Sequence, residues 1–110
     1  MASDSESRDI FFEVETPLGF RVQVTQSYWD MITSVKHPIM AGRESAIQES
    51  LQNPEEIRQS KRDSAVYLFY RSEDVSRWVC AVAKRIDGEG FLITAYRTDT
   101  VKEGKRIWPK

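Results

Sequence analysis

Cysteine and histidine are almost missing from this chain of 110 residues, which has one of each, Cys80 and His37. A lone cysteine excludes an internal disulfide and any zinc site built on several thiolates, and a lone histidine excludes a His-rich metal site within one chain. Long apolar runs are missing too. The longest fall far short of the roughly 18–20 residues that a membrane span requires. Residues 1–8 are polar and partly acidic, unlike a secretory signal, and are expected to form a frayed, disordered tail. No repeat, low-complexity tract or internal boundary interrupts residues 9–110, which read as a single domain. The acidic residues of the first half show no pair at a spacing that demands a metal ion. The expectation is a cytoplasmic protein with no membrane attachment, no metal and no cofactor.

What is present suffices for one core. Hydrophobic residues make up 40% of the chain and aromatic ones 11%, so it is not globally disordered. The net charge of -1 hides an asymmetry. Residues 1–57 hold four basic and ten acidic side chains, a net of -6, whereas residues 58–110 hold twelve and seven, a net of +5. The second half suits an anion such as a phosphate backbone, although Lys and Arg also commonly decorate exposed strands.

Ile10–Thr16 and Gly19–Thr25 each alternate apolar and polar residues. Thr16-Pro17-Leu18-Gly19 between them carries turn chemistry, so the pair predicts an antiparallel hairpin with one wet face. Glu13 or Glu15 is expected across from Arg21. Ser27 reads as a helix cap, with Asp30 in the first turn. Tyr28, Met31, Ile32 and Val35 follow at helical spacing, and the helix ends before Pro38. A second helix is expected from Gly42 to Gln52, with Ile47 and Leu51 as its apolar pair. Asn53-Pro54 then opens a short turn that Ile57 pins to the core. Ala65–Arg71, Arg77–Ile86 and Gly90–Thr98 read as strands, and the middle one is apolar on both faces, as a central strand is. Residues 99–110 are polar and basic, with Ile107 and Trp108 as anchors. The order β-β-α-α-β-β-β predicts an α+β fold: one antiparallel sheet with two helices packed on one face.

Gly90–Thr98 is the stretch with the most chemistry. Strict alternation sends Phe91, Ile93 and Ala95 to one face, and Leu92, Thr94, Tyr96 and Thr98 to the other. The second face carries three hydroxyls and one aliphatic side chain, so it is poorly suited to packing a helix.

The hairpin, the helical segment opening at His37-Pro38, the turn Asn53-Pro54-Glu55-Glu56-Ile57-Arg58-Gln59-Ser60 and the final strand with Ile93-Thr94-Ala95-Tyr96-Arg97-Thr98 form a pattern. Over roughly residues 26–100 it resembles the superfamily of small nucleases that groups barnase, EndoU, the colicin tRNases and RelE-like toxins. The likeness is greatest to the phage and bacterial branch with a Thr-Ala-Tyr or Thr-Gly-Tyr strand near the end. The resemblance implies RNA cleavage without a metal, in which the ribose 2′-OH is the nucleophile. It also implies RNA, tRNA among the candidates, as substrate, and an antitoxin or immunity protein as partner. Such chemistry needs a base for the 2′-OH, an acid for the departing 5′-oxygen, and groups that stabilise the phosphorane.

Set against that need, His37 is the natural proton carrier, since histidine is the side-chain type that titrates near neutrality. It matches the position of the family's N-terminal-helix histidine, and its ordinary role is a helix-end residue before a proline. Arg62 and Arg71 are candidates for the phosphate, and Thr94 and Tyr96 complete the expected catalytic set. Ser60, Lys61, Arg43, Arg97 and Thr98 are expected to bind RNA. Each also has a plain structural role: a polar turn for Ser60–Arg62, a solvated side chain for Arg43, strand propensity for the Thr and Tyr residues. Trp29, Trp78 and Trp108 read as packing residues and Cys80 as buried and inert. The alternative function is a degenerate, non-catalytic member of the same fold that binds a protein or nucleic acid. The chain is expected to be a monomer, or a weak dimer through the edge of its first hairpin.

Overall fold

The computed structural model describes residues 9–101 and 103–109, so the expected tail over residues 1–8 lies outside the described residues. The chain begins with the anticipated hairpin, β1 (Ile10–Glu15) and β2 (Arg21–Thr25). Its turn is closed by Thr16, whose Oγ1 donates to the Phe20 carbonyl at 2.9 Å and accepts from the Leu18 N–H at 3.3 Å. Arg21 lies opposite Glu15 and 3.5 Å from its carboxylate. The pair is exposed and contributes about 0.2–1 kcal/mol.

Helix α1 (Gln26–Met31) follows β2 without a loop. Its cap is Thr25, two residues earlier than the expected Ser27: Thr25 Oγ1 accepts from the Tyr28 N–H at 3.2 Å. The helix widens into a π-helical turn over Ile32–Lys36, closed by the His37 N–H on the Ile32 carbonyl at 2.7 Å. His37 is forced out of helical backbone because a proline follows it, and its φ of -143° and ψ of 79° end the helix there. A single 3₁₀ turn, Pro38–Met40, leads to α2 (Glu44–Gln52).

Five more strands follow: β3 (Glu56–Gln59), β4 (Val66–Asp74), β5 (Arg77–Ile86), β6 (Glu89–Thr98) and β7 (Lys105–Trp108). Two of these, β3 and β7, were not expected as strands. Together the strands form one seven-stranded sheet in the order β1-β2-β6-β5-β4-β3-β7. The α+β architecture therefore stands, but the sheet is mixed rather than purely antiparallel. β2 and β6 run parallel over Val22–Gln23 and Gly90–Phe91. Gly90 makes this join possible: a Cβ there would lie 2.6 Å from the Arg21 carbonyl oxygen and 2.9 Å from the Phe20 ring.

Both helices cover one face of the sheet. Trp29, Ile32, Met40, Ile47 and Leu51 pack there onto Phe12, Val22, Ile57, Phe69, Val79 and their neighbours. Small residues, Ala81, Ala83 and Ala95, occupy the middle of this face on β5 and β6. A second, smaller apolar cluster, Leu68, Tyr70, Cys80 and Val82, lies on the opposite face, which carries no helix among the described residues. No helix among the described residues is long and apolar enough to cross a membrane.

Candidate functional site

The helix-free face owes its composition to an irregularity in β6. Ala83 pairs with Leu92 but Val82 pairs with Thr94, so Ile93 is an extra residue, a β-bulge. Strict alternation fails at that point. Leu92 and Ala95 both turn into the helix-covered core, whereas Ile93 and Tyr96 join the second cluster with Cys80 and Val82. Thr94 lies opposite Val82, Tyr96 opposite Cys80 and Thr98 opposite Trp78, all on this face. The hydroxyl-bearing row is thus not roofed by α1 or α2. The expected split, with Phe91, Ile93 and Ala95 on one face and Leu92 beside Thr94 on the other, is corrected: the bulge puts Ile93 on the side of Thr94, and Leu92 joins Ala95 in the core.

An open depression of about 460 Å³ lies over this row. Leu68, Val82 and Val66 line its apolar part, and Thr94 and Tyr96 its hydroxyl-bearing part. Ser60, Lys61 and Arg62 enter from the β3–β4 loop, and Glu103 from the segment before β7. The loop is held by its own side chains. Ser60 Oγ accepts from the Arg62 N–H at 3.2 Å, and Asp63 Oδ1 accepts from the Ala65 N–H at 3.0 Å. Asp63 also meets Lys84 at 3.1 Å. The Ala65 N–H first, then Lys84, hold the Asp63 carboxyl below the usual carboxylate range. This bracing presents Lys61 and Arg62 to solvent, and neither forms an ion pair among the described residues.

One group of the depression lacks a partner. Thr94 Oγ1 is buried and has no hydrogen-bond partner among the described residues. A polar atom left in that state costs about 1–3 kcal/mol. Beneath it, Tyr70, Cys80 and Tyr96 converge closely enough to perturb one another. Burial pushes the Cys80 thiol up to about 12. Burial first, then Cys80, raises the Tyr96 phenol well above its ordinary value, and burial does the same for Tyr70. Tyr96 therefore keeps its proton and acts as a donor.

His37 stands beside this tyrosine. Its ring centroid is 5.7 Å from that of Tyr96, with the planes inclined by 44°. The contact follows from topology. β2 pairs only with the start of β6, so the rest of the β6 edge is open to the π-helical turn. That turn is fastened by Tyr28 Oη and Lys36 Nζ, which both donate to the Ile93 carbonyl at 3.0 Å. His37 is not itself a lining residue of the depression; the Tyr96 ring lies between.

Of the sequence candidates, Ser60, Lys61, Arg62, Thr94 and Tyr96 meet in one place, with His37 adjoining. The other four do not join them. Arg71, Arg43 and Arg97 belong to the helix-covered side of the sheet, where carboxylates and carbonyls hold them. Arg71 donates to the Asn53 carbonyl at 2.6 Å and lies 4.0 Å from Glu49. Glu73 pairs with Arg97 at 3.2 Å and with Arg43. Arg71 and Arg97 both sit opposite Val79, a helix-face residue, so strand parity keeps them off the open face. Thr98 shares the open face but lies at its far end, and its Oγ1 donates to the Thr100 carbonyl at 3.1 Å. Residues not foreseen as part of the site are its apolar floor, Glu103 and the Tyr70–Cys80 pair. The apolar run on both faces of β5 signals Cys80 and Val82, and the alternation of Val66, Leu68 and Tyr70 in β4 signals the rest of the floor, whereas nothing local signals Glu103. Among the described residues, no three His, Cys, Asp or Glu side chains come together in a way that could hold a metal ion.

No protein-family model, no curated protein and no solved structure matches this chain.

Proposed function

We propose that the depression on the helix-free face binds RNA and cleaves it by attack of the ribose 2′-OH, in the manner of the small nucleases the sequence resembles. One observation carries the reading. Residues far apart in the chain, Ser60–Arg62, Thr94 and Tyr96, meet around one solvent-open concavity that has spare cations, an unpartnered hydroxyl and a protonated phenol, and His37 touches the Tyr96 ring.

In this reading Lys61 and Arg62 draw the phosphate in, and the Thr94 hydroxyl donates to a non-bridging oxygen. His37 takes the 2′-OH proton, and the 2′-oxygen forms a bond to phosphorus. The bond from phosphorus to the 5′-oxygen breaks, and that oxygen takes the Tyr96 proton. The phenolate then takes a proton from solvent and the imidazolium releases one to it, which restores both groups. The products are a 2′,3′-cyclic phosphate and a 5′-hydroxyl. A cytoplasmic setting supplies such a substrate and keeps Cys80 reduced.

A second reading, binding without cleavage, is favoured by the position of His37 behind the Tyr96 ring rather than on the wall of the depression. One assay separates the two. Purified protein is incubated with end-labelled RNA in EDTA, and the product ends are analysed by mass. The cleavage reading expects 2′,3′-cyclic phosphate ends, lost in His37→Ala and reduced in Tyr96→Phe. Binding of RNA with no such ends from the wild-type chain refutes cleavage and leaves the binding reading. No binding and no cleavage refutes both.

A further inference from the structure

A second depression, larger at about 580 Å³, lies where β2 and β6 part, and it runs from Gln23, Phe91 and Ile93 to the helix-side residues Val24, Leu92 and Tyr28. The two strands pair only over Val22–Gln23 and Gly90–Phe91 and then diverge, and Tyr28 reaches across to the Ile93 carbonyl. The walls of this cleft are chiefly apolar: Ile10, Tyr28, Phe91 and Ile93. Gln23 and Glu89 supply polar groups.

Two observations tie the cleft to the basic depression. The β6 bulge sets Ile93, a wall of the cleft, next to Thr94, a wall of the depression. Lys36 stands at the junction: its Nζ is 3.0 Å from the Ile93 carbonyl and 5.4 Å from the Tyr28 ring centroid, and the next residue is the His37 that touches Tyr96. The two sites are therefore consecutive stations along β6, with a cation between them.

The chemistry of the cleft suits a base and not a phosphate. Aromatic rings offer faces for stacking, Gln23 and Glu89 can meet the polar edge of a ring, and the Glu89 carboxylate repels an anion. We infer that this cleft is a second nucleotide subsite, which stacks an unpaired base of the same strand against Phe91 while Lys36 contacts the intervening phosphate. The inference rests on the RNA reading above. It specifies the substrate as single-stranded, because a base held in a duplex presents no free face to the cleft.

The test uses the full chain and 2′-O-methyl oligoribonucleotides, which lack the attacking hydroxyl, one and five nucleotides long. Affinity is measured by fluorescence anisotropy, and 2-aminopurine placed at successive positions reports stacking. Phe91→Leu is expected to weaken the five-mer roughly five- to hundredfold and to relieve 2-aminopurine quenching at one position, with the mononucleotide unaffected. Phe91→Tyr is expected to restore both. Should Phe91→Leu fail to fold, exposed Lys36→Ala gives the second reading: a loss for the five-mer only. If these variants match wild type while Arg62→Ala weakens every length, the first site stands and the subsite is refuted. If the wild type binds no oligomer, the RNA reading itself fails. If the chain is a dimer that Phe91→Leu dissociates with no change in RNA affinity, the cleft belongs to a second copy and the inference is overturned.

Discussion

Cys80 offers the sharpest test of the floor beneath the candidate site. Its thiol is fully buried, and burial raises its pKa from an ordinary 9.0 to about 12. As pH rises, the unfolded chain therefore gives up this proton before the folded chain does. The stability carried by the protonated thiol is whole below about pH 9 and is lost progressively between about 9 and 12. At about pH 10.5 the unfolded thiol is almost fully ionised and the folded one is not. At roughly 1.4 kcal/mol per pH unit, the loss from Cys80 alone is about 2 kcal/mol. Tyr70 and Tyr96 are raised from 10.0 and act in the same direction, so the fall steepens above that pH. Urea unfolding of the wild type and of Cys80→Ala at about pH 8 and pH 10.5 isolates the term, because burial, the largest cause of the Tyr70 and Tyr96 shifts, is common to both proteins. The wild type should lose about 2 kcal/mol more than the variant over this interval. At about pH 8 its thiol should react with an aromatic disulfide only as fast as the chain opens. Equal losses in the two proteins, or rapid modification of the native thiol, would refute the buried cluster.

Gly90→Ala places a methyl against the Arg21 carbonyl and the Phe20 ring where β2 joins β6. It should cost about 1–3 kcal/mol, read as a fall in melting temperature of about 10 °C. Arg62→Ala and Lys61→Ala should each weaken RNA binding and lower the slope of log affinity against log salt by about 0.7, whereas Arg71→Ala should leave that slope unchanged. Thr94→Val replaces an unpartnered buried hydroxyl with a near-isostere, so the free protein should gain stability in urea while RNA affinity drops. A variant that loses stability instead would mean that the hydroxyl is already satisfied within the fold.

Local pattern alone determined the first hairpin, the helix ending at His37, α2 with Ile47 and Leu51, and the strands β4 to β6. In each, the burial period or turn chemistry lies within the segment itself. The grouping of hydroxyls at Thr94, Tyr96 and Thr98, the burial of Cys80 and the supply of cations after residue 58 were legible in the same way. Tertiary structure decided the rest. β3 and β7 are four residues each, too short to signal themselves, and become strands only by pairing with β4 and with each other. The parallel join of β2 to β6 links segments far apart in the chain. The bulge at Ile93 exists only in register with β5, yet it governs which side chains of β6 reach the open face. Which arginines stay free was also a long-range matter: Glu73 and Glu49 approach Arg43, Arg97 and Arg71 across the sheet, while the β3–β4 loop leaves Lys61 and Arg62 to solvent. Charge and hydroxyl content belong to residues, but the side of a sheet on which they emerge, and the partner that neutralises them, are properties of packed strands.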